Sequence, residues 1–169
     1  MIPTLIETLE LHHRDSWGWA LACCNWQRSL AEDVLQESYL RALDGRARFH
    51  GKSAEKTWFF GVIKRVAAEL ARSQRWQGWR LLTRPAAGSE ETIRDPGLEA
   101  AEQDESSRQL QRALLGLPQR QREVLHLVFY AELTVEEAAR TLGMSLGAAR
   151  THYHRGKTRL AELLELDHE

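Results

Sequence analysis

A run of basic side chains between Ser145 and Ala161 has the composition of a DNA-contacting helix. The run contains four Lys or Arg residues and no Asp or Glu, and two histidines add further hydrogen-bond donors. Arginine can donate two hydrogen bonds to guanine, and Lys or Arg can neutralise backbone phosphates. The simpler alternative is a solvated basic face on an ordinary helical hairpin. The pattern favours nucleic-acid binding, because the residues just before it form a suitable support.

That support is a predicted helix-turn-helix over Thr134 to Leu160. Thr134 and Glu137 have the spacing of a capping box, which starts the first short helix. Gly143 falls where a tight turn requires a positive φ. Ser145 can cap the second helix, whose N-terminal part enters the major groove in this class of motif.

Composition and charge argue against a disulfide-rich, secreted or membrane-spanning protein. The formal net charge is only −1, but residues 1–40 carry a balance of −4, residues 41–80 of +7 and residues 83–107 of −5. Charge blocks of this size predict separate surfaces for separate partners. Cys23 and Cys24 are adjacent, which favours buried thiols over a disulfide or a metal site. No segment resembles a signal peptide or a bilayer span, so we expect a cytoplasmic protein without direct membrane insertion.

Helical periodicity predicts an all-α fold of two small domains, residues 1–80 and 97–169, joined by a flexible acidic linker at 81–96. Residues 4–28 predict one helix or a broken pair. A second helix is expected from a capping box at Ser29 and Glu32 to Leu43, with Leu43 facing inward. A polar loop at 44–56 precedes a helix from Thr57 to the region of Arg75. In the second domain, Asp95 and Pro96 predict a helix start, and a further helix spans Gln119 to Tyr130.

The two halves together resemble bacterial RNA polymerase sigma factors of the sigma-70 family, extracytoplasmic-function branch. The segments AEDVLQESYLRAL and TWFFGVIKRVAAELARSQR resemble region two of that family. The segment LPQRQREVLHLVFYAELTVEEAARTLGMSLGAARTHYHRGKTRL resembles its region four. The resemblance implies a sigma factor that binds core RNA polymerase and directs initiation at promoters with −35 and −10 elements. It also implies regulation by an anti-sigma factor.

The resemblance implies a role for each matching position. Docking on polymerase would use one face of the region-two helix, formed by Asp33, Gln36, Glu37 and Arg41. Capture of single-stranded −10 DNA would use Phe49, His50, Lys64, Arg65, Arg72 and Arg75. Contact with double-stranded −35 DNA would use Ser145, Arg150, Thr151, His152, Arg155 and Lys157. Arg65 stands where many members have an Asn associated with a −10 base, and Glu69 stands where many have Asp. Trp58 and Phe59 are expected in the core, whereas Trp76 and Trp79 could contact DNA or cap the domain.

Two other functions compete with this interpretation. A conventional helix-turn-helix activator or repressor would bind palindromic DNA as a dimer without polymerase. An enzyme is disfavoured, because the histidines and acids show no defensible metal-ligand or nucleophile spacing. We therefore expect no catalytic residue, no metal and no cofactor, although Cys23 and Cys24 leave a residual metal-sensor alternative.

Overall fold

The computed structural model describes residues 4–81 and 105–166, without side-chain detail for residues 75–81, 105, 107, 108 and 111. The described residues form eight α-helices and no strand, which confirms the all-α prediction. Contacts divide the chain into two compact units, residues 1–93 and 94–169. The predicted linker, apart from Leu81, and the predicted helix start at Asp95 and Pro96 lie outside the described residues.

The first unit contains four helices: α1 (Leu5–Leu11), α2 (His13–Cys23), α3 (Arg28–Leu43) and α4 (Glu55–Leu81). Residues 4–28 are thus the broken pair rather than one helix. A capping box of Thr4 and Glu7 starts α1. The core forms where α2, α3 and α4 meet, around fully buried Trp19, Val34 and Phe60. The indole Nε1 of Trp19 donates a hydrogen bond to the carbonyl of Phe60 at 3.0 Å, which satisfies the one polar atom of this large side chain.

Two expectations for α3 are wrong. The helix begins at Arg28 after Gln27, and no side chain caps it, so Ser29 and Glu32 form no capping box. The cause is the preceding turn, in which Asn25 and Trp26 adopt positive φ and bring the chain into helical geometry before Ser29. At the other end Leu43 is 56% exposed rather than inward, because the adjacent Ala42, about 100° away around the helix, takes the buried position of the last turn.

The second unit contains α5 (Glu105–Leu115), α6 (Gln119–Phe129), α7 (Val135–Leu142) and α8 (Leu146–Leu166). Its core is small and aliphatic, with Val124, Leu127, Ala138 and Ala149 fully buried. Alanine at facing positions lets helices approach closely, so α6, α7 and α8 pack on one another around these side chains. Gly156 of α8 is also buried against α6. This packing places α8 against α5, α6 and α7.

Candidate nucleic-acid interface

The helix-turn-helix forms as the sequence predicts. Thr134 Oγ1 accepts from the backbone N–H of Glu137 at 3.1 Å, and Glu137 Oε2 accepts from the N–H of Thr134 at 2.8 Å. Gly143 ends α7 with φ of 64°, in the left-handed region that costs glycine little. Ser145 Oγ then accepts from the N–H of Ala148 at 3.1 Å. These local bonds set the angle at which α8 leaves the turn.

The exposed face of α8 carries two arginines, Arg150 and Arg155, whose side chains bond to no other side chain or backbone group among residues 4–81 and 105–166. Thr151 is exposed, but its hydroxyl donates to the carbonyl of Gly147 at 3.0 Å. His152 is half-buried, and exposed Ser145 is occupied as the helix cap. Of the predicted −35 residues, the two arginines are therefore the best placed to bind a ligand.

The remaining cations of α8 have partners within the helix. Lys157 Nζ lies 5.2 Å from the ring centroid of Tyr153, in a cation–π arrangement. Arg159 Nη1 pairs with Glu162 Oε2 at 3.1 Å. Both side chains lie toward the C-terminal part of α8. Arg150 thus lies in the first turns of α8, near the turn of the motif. Arg155 lies further along the helix, where it borders the cleft between α6 and α8.

The predicted docking face of α3 divides into two parts. Asp33 and Gln36 are exposed and make no hydrogen bond or ion pair with any described residue. Glu37 and Arg41 are half-buried, and Arg41 Nε donates to Glu37 Oε1 at 2.8 Å. Arg41 also reaches α4, where its Nη1 lies 2.7 Å from Glu69 Oε2. The structure therefore leaves only the first pair of side chains uncommitted.

The ion pairs continue into the loop after α3. Arg46 Nη1 lies 3.0 Å from the Glu37 carboxylate, and Arg46 Nε lies 2.6 Å from Asp44 Oδ2. The hydrogen bond from Arg41 and the charge of Arg46 hold the pKa of Glu37 below its ordinary value. The backbone N–H and the side chain of Arg46 similarly lower the pKa of Asp44. We call Glu37, Arg41, Asp44, Arg46 and Glu69 the α3–loop–α4 ion-pair network.

The predicted −10 residues are distributed over the loop and α4. Phe49 is half-buried against Trp58, with ring centroids 5.4 Å apart, whereas His50 is exposed. Arg65 and Arg72 are exposed, and each Nε donates to a backbone carbonyl four residues earlier at 3.3 Å. Lys64 is half-buried. The side chains of Arg75, Trp76 and Trp79 lie outside the described part of the chain.

The predicted core aromatics behave differently from each other. Phe59 is 1% exposed, as expected, but Trp58 is only half-buried and contacts both Phe49 and Phe59.

Sequence reasoning did not single out Arg46 and Asp44. Their spacing of two residues gives no helical signal, and the partner Glu37 lies nine positions before Arg46. No periodic pattern marks such a contact, so only the fold brings these groups together.

Residues 9–77 match the family description Sigma-70 region 2, and residues 107–160 match Sigma-70, region 4. The chain is 33% identical over 167 residues to the ECF RNA polymerase sigma factor SigX of Bacillus subtilis (strain 168), which covers 95% of this chain and 85% of SigX. The chain belongs to the ECF RNA polymerase sigma factors. It is also 32% identical over 140 residues to the RNA polymerase sigma factor CarQ of Myxococcus xanthus, covering 80% of this chain and 75% of CarQ.

Two solved structures share the fold of this sigma factor. One is the sigma factor RpoE in complex with the anti-sigma factor NepR from Bartonella quintana, with a TM-score of 0.73, 24% identity and coverage of 95% and 96% of the two chains. The other is CnrH in complex with the cytosolic domain of CnrY, with a TM-score of 0.66, 20% identity and coverage of 96% and 88%. Their similarity to this chain supports the arrangement of helices described above.

The cysteines and histidines of this sigma factor form no cluster suited to a metal within residues 4–81 and 105–166. Cys23 and Cys24 form no disulfide there, and burial raises the pKa of the Cys24 thiol to about 11. A raised pKa keeps this thiol protonated, and a metal-binding cysteine needs the thiolate. None of the helices in those ranges has the length and hydropathy required to span a membrane.

Proposed function

We propose that this protein is an alternative sigma factor that binds core RNA polymerase and directs initiation at promoters with −35 and −10 elements. The observation that carries the proposal is the presence of both sigma regions, in order, in one chain. A conventional helix-turn-helix regulator would require only the second of these two regions. The protein itself performs no covalent chemistry, and it would act in the cytoplasm, where the polymerase is.

Recognition of the −35 element would use α8. Arg150 and Arg155 are the side chains we propose for base or phosphate contact, because both are exposed and neither bonds to another residue in the described part of the chain. Ser145, Thr151, His152 and Lys157 would border this contact. Capture of single-stranded −10 DNA would use His50 with the basic residues of the α4 sequence, Lys64, Arg65, Arg72 and Arg75. Separated strands need a positive groove, and residues 41–80 supply a balance of +7.

Docking on core polymerase would use Asp33 and Gln36 of α3. Exposed polar side chains suit a reversible interface, since they are well solvated when the partner leaves. We also propose that an anti-sigma factor holds the protein inactive. The supporting observation is that the sigma factor RpoE, which shares this fold, was solved in complex with the anti-sigma factor NepR.

Reconstitution tests the proposal. The purified protein is mixed with bacterial core RNA polymerase, and co-elution and run-off transcription from the promoter upstream of its own gene are measured. We expect binding and a defined start site, with core affinity lowered about five- to thirtyfold by Asp33→Ala or Gln36→Ala. Glu165→Gln is the matched control, because it removes an exposed carboxylate from the far end of α8. Dimeric binding to duplex DNA with no binding to core would refute the proposal.

A further inference from the structure

The loop between α3 and α4, residues 44–54, is held at its start by the ion-pair network. The guanidinium of Arg46 bridges two carboxylates, with 2.6 Å from Nε to Asp44 Oδ2 and 3.0 Å from Nη1 to Glu37 Oε1. The backbone N–H of Ala47 donates to the carbonyl of Arg41 at 2.8 Å. The direction in which the loop leaves α3 is therefore set by the two ion pairs of Arg46 and by the backbone hydrogen bond of Ala47.

The same network ties the start of the loop to α4. Arg41 lies between two carboxylates, Glu37 on its own helix at 2.8 Å and Glu69 on α4 at 2.7 Å. Glu37 is shared, because it accepts from both Arg41 and Arg46. A network of this kind holds its members more firmly than an isolated surface pair, since each charge has more than one partner.

Two further contacts hold the middle and the end of the loop. The ring of Phe49 packs against Trp58 of α4 at a centroid distance of 5.4 Å. Lys56, in the first turn of α4, pairs with Asp15 of α2 at 2.7 Å, and its side chain is only 15% exposed. On either side of Phe49, Arg48 and His50 are exposed and make no hydrogen bond or ion pair with any described residue. The loop thus presents two donors from a supported backbone.

We propose that Glu37, Arg41 and Arg46 are positioning residues, which hold the α3–α4 loop in the conformation that captures single-stranded −10 DNA through Arg48 and His50. Glu37 and Arg41 are accordingly not polymerase contacts, and docking is left to Asp33 and Gln36. The inference rests on the proposed function and deepens it. Holding the loop in its bound shape lowers the entropy lost on binding, which raises affinity without any new contact to the DNA.

The test compares two variants with a matched control. Arg46→Ala removes a side chain that is 53% exposed, so the helices should remain folded. Glu37→Gln keeps the shape of the side chain and removes its charge. Glu32→Gln is the control, because it breaks the Arg28–Glu32 pair of 3.2 Å, another i,i+4 Arg–Glu pair of α3, without touching the loop. Circular dichroism and thermal unfolding verify that each variant is folded.

Two affinities are measured for each protein. One is the affinity for core polymerase. The other is the binding of holoenzyme to a fluorescent single-stranded oligonucleotide with the −10 segment of the promoter active in run-off transcription. We expect Arg46→Ala and Glu37→Gln each to weaken oligonucleotide binding about three- to tenfold, with core affinity within about twofold of wild type. Glu32→Gln should leave both unchanged.

Glu37→Gln is the variant that best separates a positioning role from a simple electrostatic effect. It removes a negative charge near the nucleic acid, so a simple electrostatic effect would strengthen oligonucleotide binding. Weaker binding is expected only if Glu37 acts through the position of the loop. Unchanged or stronger binding in this variant overturns the inference, and so does a loss of core affinity comparable to that of Asp33→Ala. If wild-type protein fails to bind core at all, the proposed function fails, and this inference fails with it.

Discussion

Gly156 of α8 is buried in close contact with α6, and its replacement by Ala tests that packing. A Cβ atom built at Gly156 would lie 3.1 Å from Leu125 Cδ1, and 3.3 Å from both Leu125 Cγ and Gln121 Cβ. Carbon atoms in ordinary contact are about 3.5–4.0 Å apart. Leu125 is only 1% exposed, so it has little space into which to move. The methyl group must therefore push α8 away from α6 by a few tenths of an ångström.

Two opposing effects decide the magnitude. Replacing Gly by Ala inside a helix stabilises it by about 1 kcal/mol. Overpacking a well-filled core costs about 1–3 kcal/mol. With a central overpacking cost of about 2 kcal/mol, we expect Gly156→Ala to lower the free energy of unfolding by about 1 kcal/mol. Gly147→Ala is the matched control, because Gly147 is in the same helix with no atom within 4 Å of its built Cβ. This control should gain about 0.5–1 kcal/mol.

Native-state hydrogen exchange of the full chain measures both effects locally. Amides of α6 and α8 should exchange about fivefold faster in Gly156→Ala and about two- to fivefold slower in Gly147→Ala. Binding to a −35 duplex in holoenzyme should also weaken in Gly156→Ala, since α8 carries Arg150 and Arg155. If Gly156→Ala slows exchange as much as Gly147→Ala does, the methyl group fits without strain, and the argument from close packing is wrong.

Three further outcomes follow from the structure. Gly143→Ala should destabilise the second unit by about 1–2 kcal/mol in thermal unfolding, because φ of 64° crowds a Cβ; equal stability would contradict this. Because folding lowers the pKa of Glu37, its ion pairs stabilise the fold at pH values above its ordinary pKa of 4.5. This stabilisation is lost as the pH falls through the lower pKa of the folded protein. The stability gap between wild type and Glu37→Gln, below about 1 kcal/mol at neutral pH because solvent screens the pair, should therefore narrow as the pH falls below 4.5 and close once the pH has passed the lowered folded pKa; a gap that persists in acid would refute the assignment. With a pKa of about 11, Cys24 should react with iodoacetamide at least about tenfold more slowly than an ordinary thiol at pH 8, as mass spectrometry of the Cys23→Ser variant can show; rapid labelling of the folded protein would contradict its burial.

Local sequence signals predicted the helix-turn-helix correctly. Thr134 and Glu137 form the capping box, Gly143 adopts positive φ, and Ser145 caps α8. Each of these features joins residues at most three positions apart, so the sequence spacing alone defines the possible bond. The same rule failed at Ser29 and Glu32, where the spacing is correct but the backbone of Asn25 and Trp26 starts the helix earlier. A capping pattern is therefore reliable only where the preceding turn leaves the cap outside the helix.

The sequence by itself determined the all-α class and the basic face of α8, because helical periodicity and caps depend on neighbours within one or two turns. The order of the two sigma regions followed from the resemblance of the sequence segments to that family. Only the tertiary structure divided the predicted docking face of α3. Glu37 and Arg41 are committed to Arg46 and Glu69, whereas Asp33 and Gln36 are not. Arg41 and Glu69 are 28 positions apart in the sequence, and no short-range sequence pattern predicts the α3–α4 packing that brings them together. Which exposed charges remain available for partners is thus decided by the fold.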